Sequence, residues 1–181
     1  PHPYPNPPGV VFDEYHFGRF TNQYFAGTYL FDIHPPLGKL TLVAAGYLGG
    51  YNATACKYDN ISDEYGPGCR AMLLRATAAA FGVATAPLVY HGTRGFGGSI
   101  RAALLAAILL IFDGLNLGES RLILIDSQLI FWCAAALVGA QAWWRRWRVH
   151  WDAVADFERI AGQPFTLLDA PGWGGTSAFT T

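Results

Sequence analysis

The chain has 181 residues, a formal net charge of −1 and only 14% charged residues, against 52% apolar residues. A near-zero net charge gives no indication of a nucleic-acid partner. The charged fraction also lies well below the quarter that is typical of soluble domains. The composition therefore argues against a soluble domain and favours a membrane protein.

Residues 1–9 read PHPYPNPPG and are predicted to form an extended, Pro-rich linker. They lack the basic start and the apolar run of a signal peptide. Because the chain also lacks an initiator Met, we expect it to be a piece of a longer protein.

Two neighbouring carboxylates, Asp13 and Glu14, follow an apolar run in the segment VVFDEYHFGRF. Aromatic residues then recur at close to helical spacing over residues 14–30, which predicts an amphipathic helix at the membrane surface. Asp13 suits the N-cap of that helix, and Glu14 in the first turn suits the helix dipole. An acid/base centre is the other interpretation of this pair, and the residues alone leave both open.

The next segment, YLFDIHPPLGKLTLVAAGYLGGY, places Asp32 and His34 directly before two prolines. Pro35 favours an extended His34, and Pro36 suits the first turn of a helix that runs to about Gly46. This helix is too short to cross a bilayer, so we expect it to dip into the membrane interface. A hydrogen-bonded structural role is the ordinary interpretation of His34, and no spacing of ligands indicates a metal site.

The region before the first long apolar run carries two glycosylation sequons, NAT at Asn52 and NIS at Asn60. Cys56 and Cys69 lie in the same loop, and such a pair can form a disulfide in an oxidising compartment. Two free thiols are the alternative. Cys133 stands alone inside an apolar run and is interpreted as a small apolar packing residue.

Three apolar runs predict membrane-spanning helices at about 72–93, 99–118 and 122–144. A hydrocarbon core of ~30 Å needs ~20 helical residues, and these runs reach that length with a few flanking residues. Buried helices of a soluble protein are the alternative, but such helices usually carry a polar stripe that these runs barely show. We therefore assign residues 69–148 to three transmembrane helices.

Arginines predict the orientation of these helices. The hinge 94–101 contains two arginines and no acid, and the segment 145–148 reads RRWR. By the positive-inside rule both segments face the cytosol, so residues 10–68 form a luminal loop with two juxtamembrane helices. Residues 149–181 are then a cytosolic or truncated tail.

Three charged residues lie at the luminal ends of the predicted spans: Arg75, Asp113 and Asp126. Charges at membrane depth are costly and mark either function or pairing. One interpretation is mutual ion pairing that orients the helices. The other is a polar luminal cavity in which Arg75 meets Asp13 and Glu14, and either pairs with a phosphate or keeps a carboxylate ionised.

Five blocks of sequence carry a resemblance: VVFDEYHFGRF, GTYLFDIHPPLGKL, MLLRATAAAFG, APLVYHGTRGFG and LLIFDGLNLGESRLILIDSQLIF. In this order they resemble the protein O-mannosyltransferases that use dolichyl phosphate mannose, over about residues 9–145. Ala78 replaces a family proline, and the polar, glycine-rich residues after GQPFT depart from the membrane span that the family would begin there. Because the family's first span, later spans and β-trefoil repeats fall outside the match, we expect an N-terminal fragment that is inactive alone.

The resemblance implies an all-α membrane protein, namely the transmembrane region of a GT-C-type glycosyltransferase with luminal amphipathic helices. It implies a multi-pass protein of the endoplasmic reticulum membrane that works as a homo- or heterodimer of related subunits. The implied reaction is inverting transfer of mannose from dolichyl phosphate mannose to Ser or Thr hydroxyls of secretory proteins. No cofactor or metal beyond this lipid-linked donor is expected, and no nucleic-acid partner.

The resemblance also implies roles for individual residues. Carried over by position, Asp13 is the catalytic base and Glu14 orients the acceptor and the local charges. Five further residues are assigned to substrate binding: Asp32, His34, Arg75, Arg121 and Asp126. For Arg121 and Asp126 this means a structural or lipid-phosphate role.

Two other functions remain compatible with the sequence. A different glycosyltransferase that uses a lipid-phosphate sugar could employ the same Asp-Glu pair to build a glycan or lipid. A non-catalytic membrane subunit could retain Asp13, Glu14 and Arg75 as structural ion partners. A channel or transporter is disfavoured, because three spans with few polar faces do not outline a pore.

Overall fold

The structure, a computed structural model, describes residues 9–162. Within that range the chain forms six helices: α1 (Glu14–Phe25), α2 (Pro36–Leu48), α3 (Ala71–Gly95), α4 (Ile100–Ile111), α5 (Gly114–Ser120) and α6 (Asp126–Ala161). The residues described contain no strand beyond an isolated bridge between Gly9 and Glu64. The expected helical fold is therefore confirmed for this part of the chain.

Two compact units divide the chain between Val138 and Gly139, within α6. The first unit contains α1 to α5 and the beginning of α6, and it holds all the candidate functional residues. The predicted linker up to residue 8 and the tail from residue 163 lie outside the described residues.

The juxtamembrane helices follow the local sequence signals. The predicted amphipathic segment is helical from Glu14 to Phe25. Helix α2 begins at Pro36, as its proline pair predicts, because the fixed φ of proline suits the first helical turn. Residues 26–35 connect α1 to α2 and carry Asp32 and His34.

Helix α3 matches the first predicted span, and the second predicted span differs from the structure. Among the described residues α3 is the one helix long and apolar enough to cross a membrane, with α4 and α5 as a possible second, bent span. The chain turns by 55° between α4 and α5, so the segment predicted as the second span, 99–118, contains a bend between two helices. The Asp113 carboxylate accepts a hydrogen bond from Asn116 N at 2.8 Å and starts α5 as its N-cap.

Helix α6 differs from the third predicted span at both ends. It begins at Asp126 and continues to Ala161, so the beginning of the predicted tail is helical. The residues between α5 and α6 are not helical, and Ile123 and Leu124 within them are buried.

The core lies where α1, α2 and the disulfide loop (residues 49–70) meet the start of α3 and the connection between α5 and α6. Its buried apolar residues include Phe17, Leu42, Tyr58, Leu74 and Ile123. At position 18, a Cβ would come within 2.2 Å of the Tyr58 ring, so only glycine allows α1 to pack this closely on the loop.

Buried tyrosines link the disulfide loop to α1. Burial raises the pKa of Tyr51 to about 12 and also raises the pKa of Tyr58 and of Tyr65. These phenols therefore stay protonated at neutral pH, and Tyr51 and Tyr65 act as hydrogen-bond donors. Tyr51 Oη donates to Asn22 Oδ1 at 2.8 Å, and Asn22 Nδ2 donates to Cys56 O at 2.7 Å.

Cys56 and Cys69 form a disulfide that closes the loop, at a sequence separation of 13. Replacing both cysteines by Ser should lower the free energy of unfolding by ~3 kcal/mol, because the unfolded chain gains the freedom that the bond removes. Thermal unfolding of the purified variant measures this loss. Peptide mapping without reduction tests the bond itself, and two alkylatable thiols in the untreated protein would contradict it.

Cys133 gives a matched control for the disulfide. It is a free cysteine with an exposed side chain, so its interpretation as a packing residue is wrong for the described part of the chain. Replacing it by Ser should change the stability by less than ~0.5 kcal/mol, as for ordinary surface substitutions.

Candidate active site

A cavity of about 530 Å³ lies between α1, the connection 26–35, the start of α2 and the start of α6. The polar side chains of its lining are Asp13, His16, Asp32, His34, Asp126 and Gln128. Aromatic and aliphatic side chains, among them Phe17, Phe20 and Trp132, form the rest of the wall. Four residues that were predicted from the sequence as site residues thus share one cavity.

Asp13 occupies the N-cap position of α1, yet its side chain makes no capping hydrogen bond. Its backbone carbonyl instead accepts from His16 N at 2.9 Å and from Phe17 N at 3.1 Å. The preceding Phe12 has φ of 49°, a left-handed conformation that non-glycine residues rarely adopt. Helix α1 therefore begins without a capping hydrogen bond from the Asp13 carboxylate. The side chain of Asp13 is half-buried and lines the cavity.

Glu14 lies apart from the cavity lining, in contrast to its predicted role beside the acceptor. Its side chain is fully buried, and Arg75 donates to both carboxylate oxygens, each at 2.7 Å. Tyr65 Oη donates at 3.1 Å, and the backbone N–H groups of Val11 and Ile123 each donate at 2.9 Å. Five donors saturate this carboxylate, so it holds the fold together and has no lone pair left for a substrate.

Arg75 is likewise a buried structural partner. In addition to Glu14, it contacts Gly9 O at 3.2 Å, and its guanidinium carbon lies 5.3 Å from the centroid of the Tyr65 ring. Of the two roles left open by the sequence, Arg75 pairs with a carboxylate. The salt bridge described for Arg75 is to Glu14, whereas the side chain of Asp113 caps α5.

Asp32 is the centre of a hydrogen-bonded group that includes one residue that sequence reasoning missed. Lys39 Nζ donates to Asp32 Oδ2 at 2.6 Å and to His34 O at 3.1 Å. His34 Nδ1 lies 3.1 Å from both carboxylate oxygens of Asp32. Lys39 is only 3% exposed, and its position as the single charge in the apolar helix α2 was the available signal.

The electrostatics of Asp32 follow from these contacts. Burial by itself would raise the pKa of the Asp32 carboxyl, but the hydrogen bonds from Lys39 and His34 outweigh it and hold the pKa below its ordinary value. Asp32 is therefore a carboxylate at neutral pH and accepts hydrogen bonds only.

The other two predicted site residues lie in different surroundings. Asp126 is the first residue of α6 and contributes to the cavity wall, where the helix dipole favours a carboxylate. Arg121 is the C-cap of α5, is exposed, and does not line the cavity.

Gln128 is a second residue that sequence reasoning missed. It is 1% exposed and joins α6 to α2, because its Nε2 donates to Gly38 O at 3.2 Å and its Oε1 accepts from the Thr41 hydroxyl. A Cβ at position 38 would come within 2.9 Å of Ile125, so glycine allows this close approach. The contact fixes the start of α6, and with it Asp126, against α2.

The lining suits a ligand rich in hydroxyl groups. Carboxylates accept hydrogen bonds from hydroxyls, imidazoles accept or donate them, and the aromatic wall offers apolar faces. A half-buried carboxylate that is free of capping can also take a proton from a bound hydroxyl. Within residues 9–162 no group of three His, Cys, Asp or Glu side chains is placed to hold a metal ion.

Within the described residues, the helical fold includes one helix that is long and apolar enough to cross a membrane, and a cavity that carboxylate and imidazole side chains line. The family model described as dolichyl-phosphate-mannose-protein mannosyltransferase matches residues 2–154. The chain belongs to this family.

Relatives from two kingdoms support the assignment. The chain is 37% identical over 144 residues to dolichyl-phosphate-mannose--protein mannosyltransferase 1 of Candida albicans, covering 80% of this chain and 16% of that protein. It is 37% identical over 138 residues to protein O-mannosyl-transferase 2 of Danio rerio, covering 73% of this chain and 17% of that protein. The chain thus spans about a sixth of the length of the curated relatives it matches.

A solved structure is similar in fold as well as in sequence. It is the Saccharomyces cerevisiae protein O-mannosyltransferase Pmt1-Pmt2 complex bound to the sugar donor. The TM-score is 0.72 at 36% identity, over 77% of this chain and 19% of that chain.

Proposed function

We propose that this chain contributes the catalytic region of an enzyme that transfers mannose from dolichyl phosphate mannose to Ser or Thr hydroxyls of secretory proteins. The observation that carries the proposal is the Asp13 carboxylate, which lines the cavity and is not used for capping. Membership of the mannosyltransferase family gives the reaction class.

The proposed chemistry begins with the acceptor hydroxyl beside Asp13. The carboxylate takes the hydroxyl proton while the oxygen attacks the anomeric carbon of mannose. The new glycosidic bond forms on the face opposite the breaking bond, so the configuration inverts. The electron pair of the broken bond leaves with the dolichyl phosphate, and the proton stays on Asp13 until it is released to water.

The neighbouring groups support this role for the cavity. Asp32, Asp126 and His34 offer hydrogen-bond partners for the mannose hydroxyls. None of these lining residues is a lysine or arginine, so the cavity suits the sugar and the acceptor better than the phosphate. Arg121 is exposed outside the cavity, which is compatible with contact to a lipid phosphate.

The experiment is mannose transfer from dolichyl phosphate mannose to a Ser/Thr peptide, measured with the full-length protein in membranes. Mannose on the peptide hydroxyl supports the proposal. Mannose on a glycan or lipid instead would favour the other glycosyltransferase class. A folded protein that transfers no mannose to any of these acceptors would favour a non-catalytic subunit.

We also propose that the protein works in the endoplasmic reticulum membrane as a dimer with a related subunit. The solved relative is a complex of two mannosyltransferase chains, Pmt1 and Pmt2. In the proposed topology the spans lie at about 72–93, 99–118 and 122–144, and residues 10–68 face the lumen with Asp13.

This topology predicts glycosylation at Asn52 or Asn60, because both side chains are exposed in the disulfide loop. Glycosylation mapping in microsomes measures it through a mobility shift that endoglycosidase removes. A sequon engineered near Gly97 is the control and should remain unmodified, since the basic hinge 94–101 should face the cytosol. Glycosylation of the sequon engineered near Gly97 would contradict the proposed orientation.

A further inference from the structure

The side chains of Lys39, Asp32 and His34 form a chain of contacts that ends at the cavity. Lys39 lies inside this chain, with its ammonium 2.6 Å from Asp32 Oδ2 and 5.4 Å from the centroid of the Phe20 ring. A lysine that is 3% exposed requires a partner charge, and Asp32 supplies it.

His34 is held in one orientation by two different contacts. Its Nδ1 lies at hydrogen-bond distance from Asp32, and its ring packs edge-on against Phe17 with the centroids 5.6 Å apart. Because the Asp32 carboxylate only accepts, Nδ1 of His34 is the donor in this pair. The other ring nitrogen, Nε2, can then accept a hydrogen bond from a ligand in the cavity that His34 lines.

We propose that Lys39 is a positioning residue of this site. It fixes Asp32 as a carboxylate that accepts from His34 Nδ1 and thereby presents His34 Nε2 to the bound sugar. Lys39 itself does not line the cavity and acts through Asp32. The role in transfer rests on the proposed mannosyltransferase function, whereas the effect on Asp32 is a property of the protein alone.

The expected pH dependence follows from the charges around Asp32. The ionic contacts of Asp32 are with Lys39 from α2 and His34 from the same connection, and Asp13 and His16 from α1 and Asp126 from α6 line the same cavity. Removing the Lys39 charge leaves burial, which raises the pKa of Asp32, opposed only by the contact with His34 among the causes that act on this carboxyl. Loss of a close opposite charge should raise the pKa by about 1–3 units, so that, as the pH is lowered, activity that needs the carboxylate begins to fall at a higher pH than in wild type.

The first test is independent of transfer. Aspartate labelled with ¹³C in the full-length protein gives one carboxyl signal that disappears in Asp32→Asn, and this signal reports the titration of Asp32. We expect a midpoint below the ordinary aspartate value in the wild type, raised by about 1–3 units in Lys39→Met and much less in Lys39→Arg. An unchanged midpoint in Lys39→Met would overturn the proposal. If Lys39→Met does not fold, a wild-type midpoint at or above the ordinary value overturns it.

The second test is the pH profile of mannose transfer. The activity of Lys39→Met relative to wild type should fall as the pH is lowered, and Lys39→Arg should restore most of the acidic limb. Lys57→Met, the same change at the other, exposed lysine, should leave the profile unchanged. A loss of the same factor at every pH, unrelieved by Arg, would mean a merely structural lysine. Failure of wild type to transfer mannose would reject the proposed function and leave the titration result standing.

Discussion

Asp13→Asn should lower the rate of mannose transfer by ~10²–10⁴-fold, the contribution of a positioned general base. Asparagine has the same size but cannot take a proton from the acceptor hydroxyl. The structure makes this substitution informative, because the Asp13 side chain makes no capping hydrogen bond that the change could disturb. Stability, expression and donor binding should therefore stay close to wild type, and purified variants at matched amounts measure the turnover.

The control for Asp13 is Asp59→Asn, the same change at an exposed aspartate of the disulfide loop. It should leave both transfer and stability unaltered, as for ordinary surface substitutions. If Asp13→Asn turned over at a rate similar to wild type, Asp13 would only begin α1 and the base would lie elsewhere. Asp32 and Asp126 would then be the next candidates in the same cavity.

Glu14→Gln should act on the fold before it acts on catalysis. Glutamine keeps the shape, but it removes the charge that pairs with Arg75 and replaces an acceptor oxygen by a donor nitrogen among five donors. Removing one partner of a buried ion pair costs ~3–5 kcal/mol, because the other charge stays buried and uncompensated. Thermal unfolding should therefore show a large loss of stability.

Glu64→Gln is the matched control, since Glu64 is exposed in the same region of the chain. It should unfold as wild type does. A Glu14→Gln protein with normal stability and a specific rise in KM for the acceptor peptide would return Glu14 to its predicted role beside the acceptor. The pair of measurements thus separates a structural carboxylate from one that contacts substrate.

The sequence predicted those features whose causes are local. The aromatic spacing after Asp13 and the proline at the start of α2 each act over one or two helical turns, and both helices are present. The apolar length of α3 needed no tertiary information either. By contrast, the helix predicted over 99–118 is broken, because the Asp113 cap outweighs the continuous apolar pattern around it.

The candidate site residues also divide into those that the sequence predicted and those that only the fold located. The resemblance pointed to Asp13, Asp32, His34 and Asp126, and the fold brings these four to one cavity. It placed both Asp13 and Glu14 beside the substrate. A match by position does not show that adjacent residues at the start of a helix point in different directions. One carboxylate reaches the cavity and the other is buried.

The sequence by itself determined the family, the helical character and the set of polar residues near the predicted luminal ends. Only the tertiary structure decided their partners. Glu14 meets Arg75 across 61 positions and Ile123 across 109, and Lys39 becomes buried only where α2 packs beside Asp32. The physical reason is that helix periodicity and capping act within a few residues, whereas the pairing of a buried charge depends on which distant segments share the core.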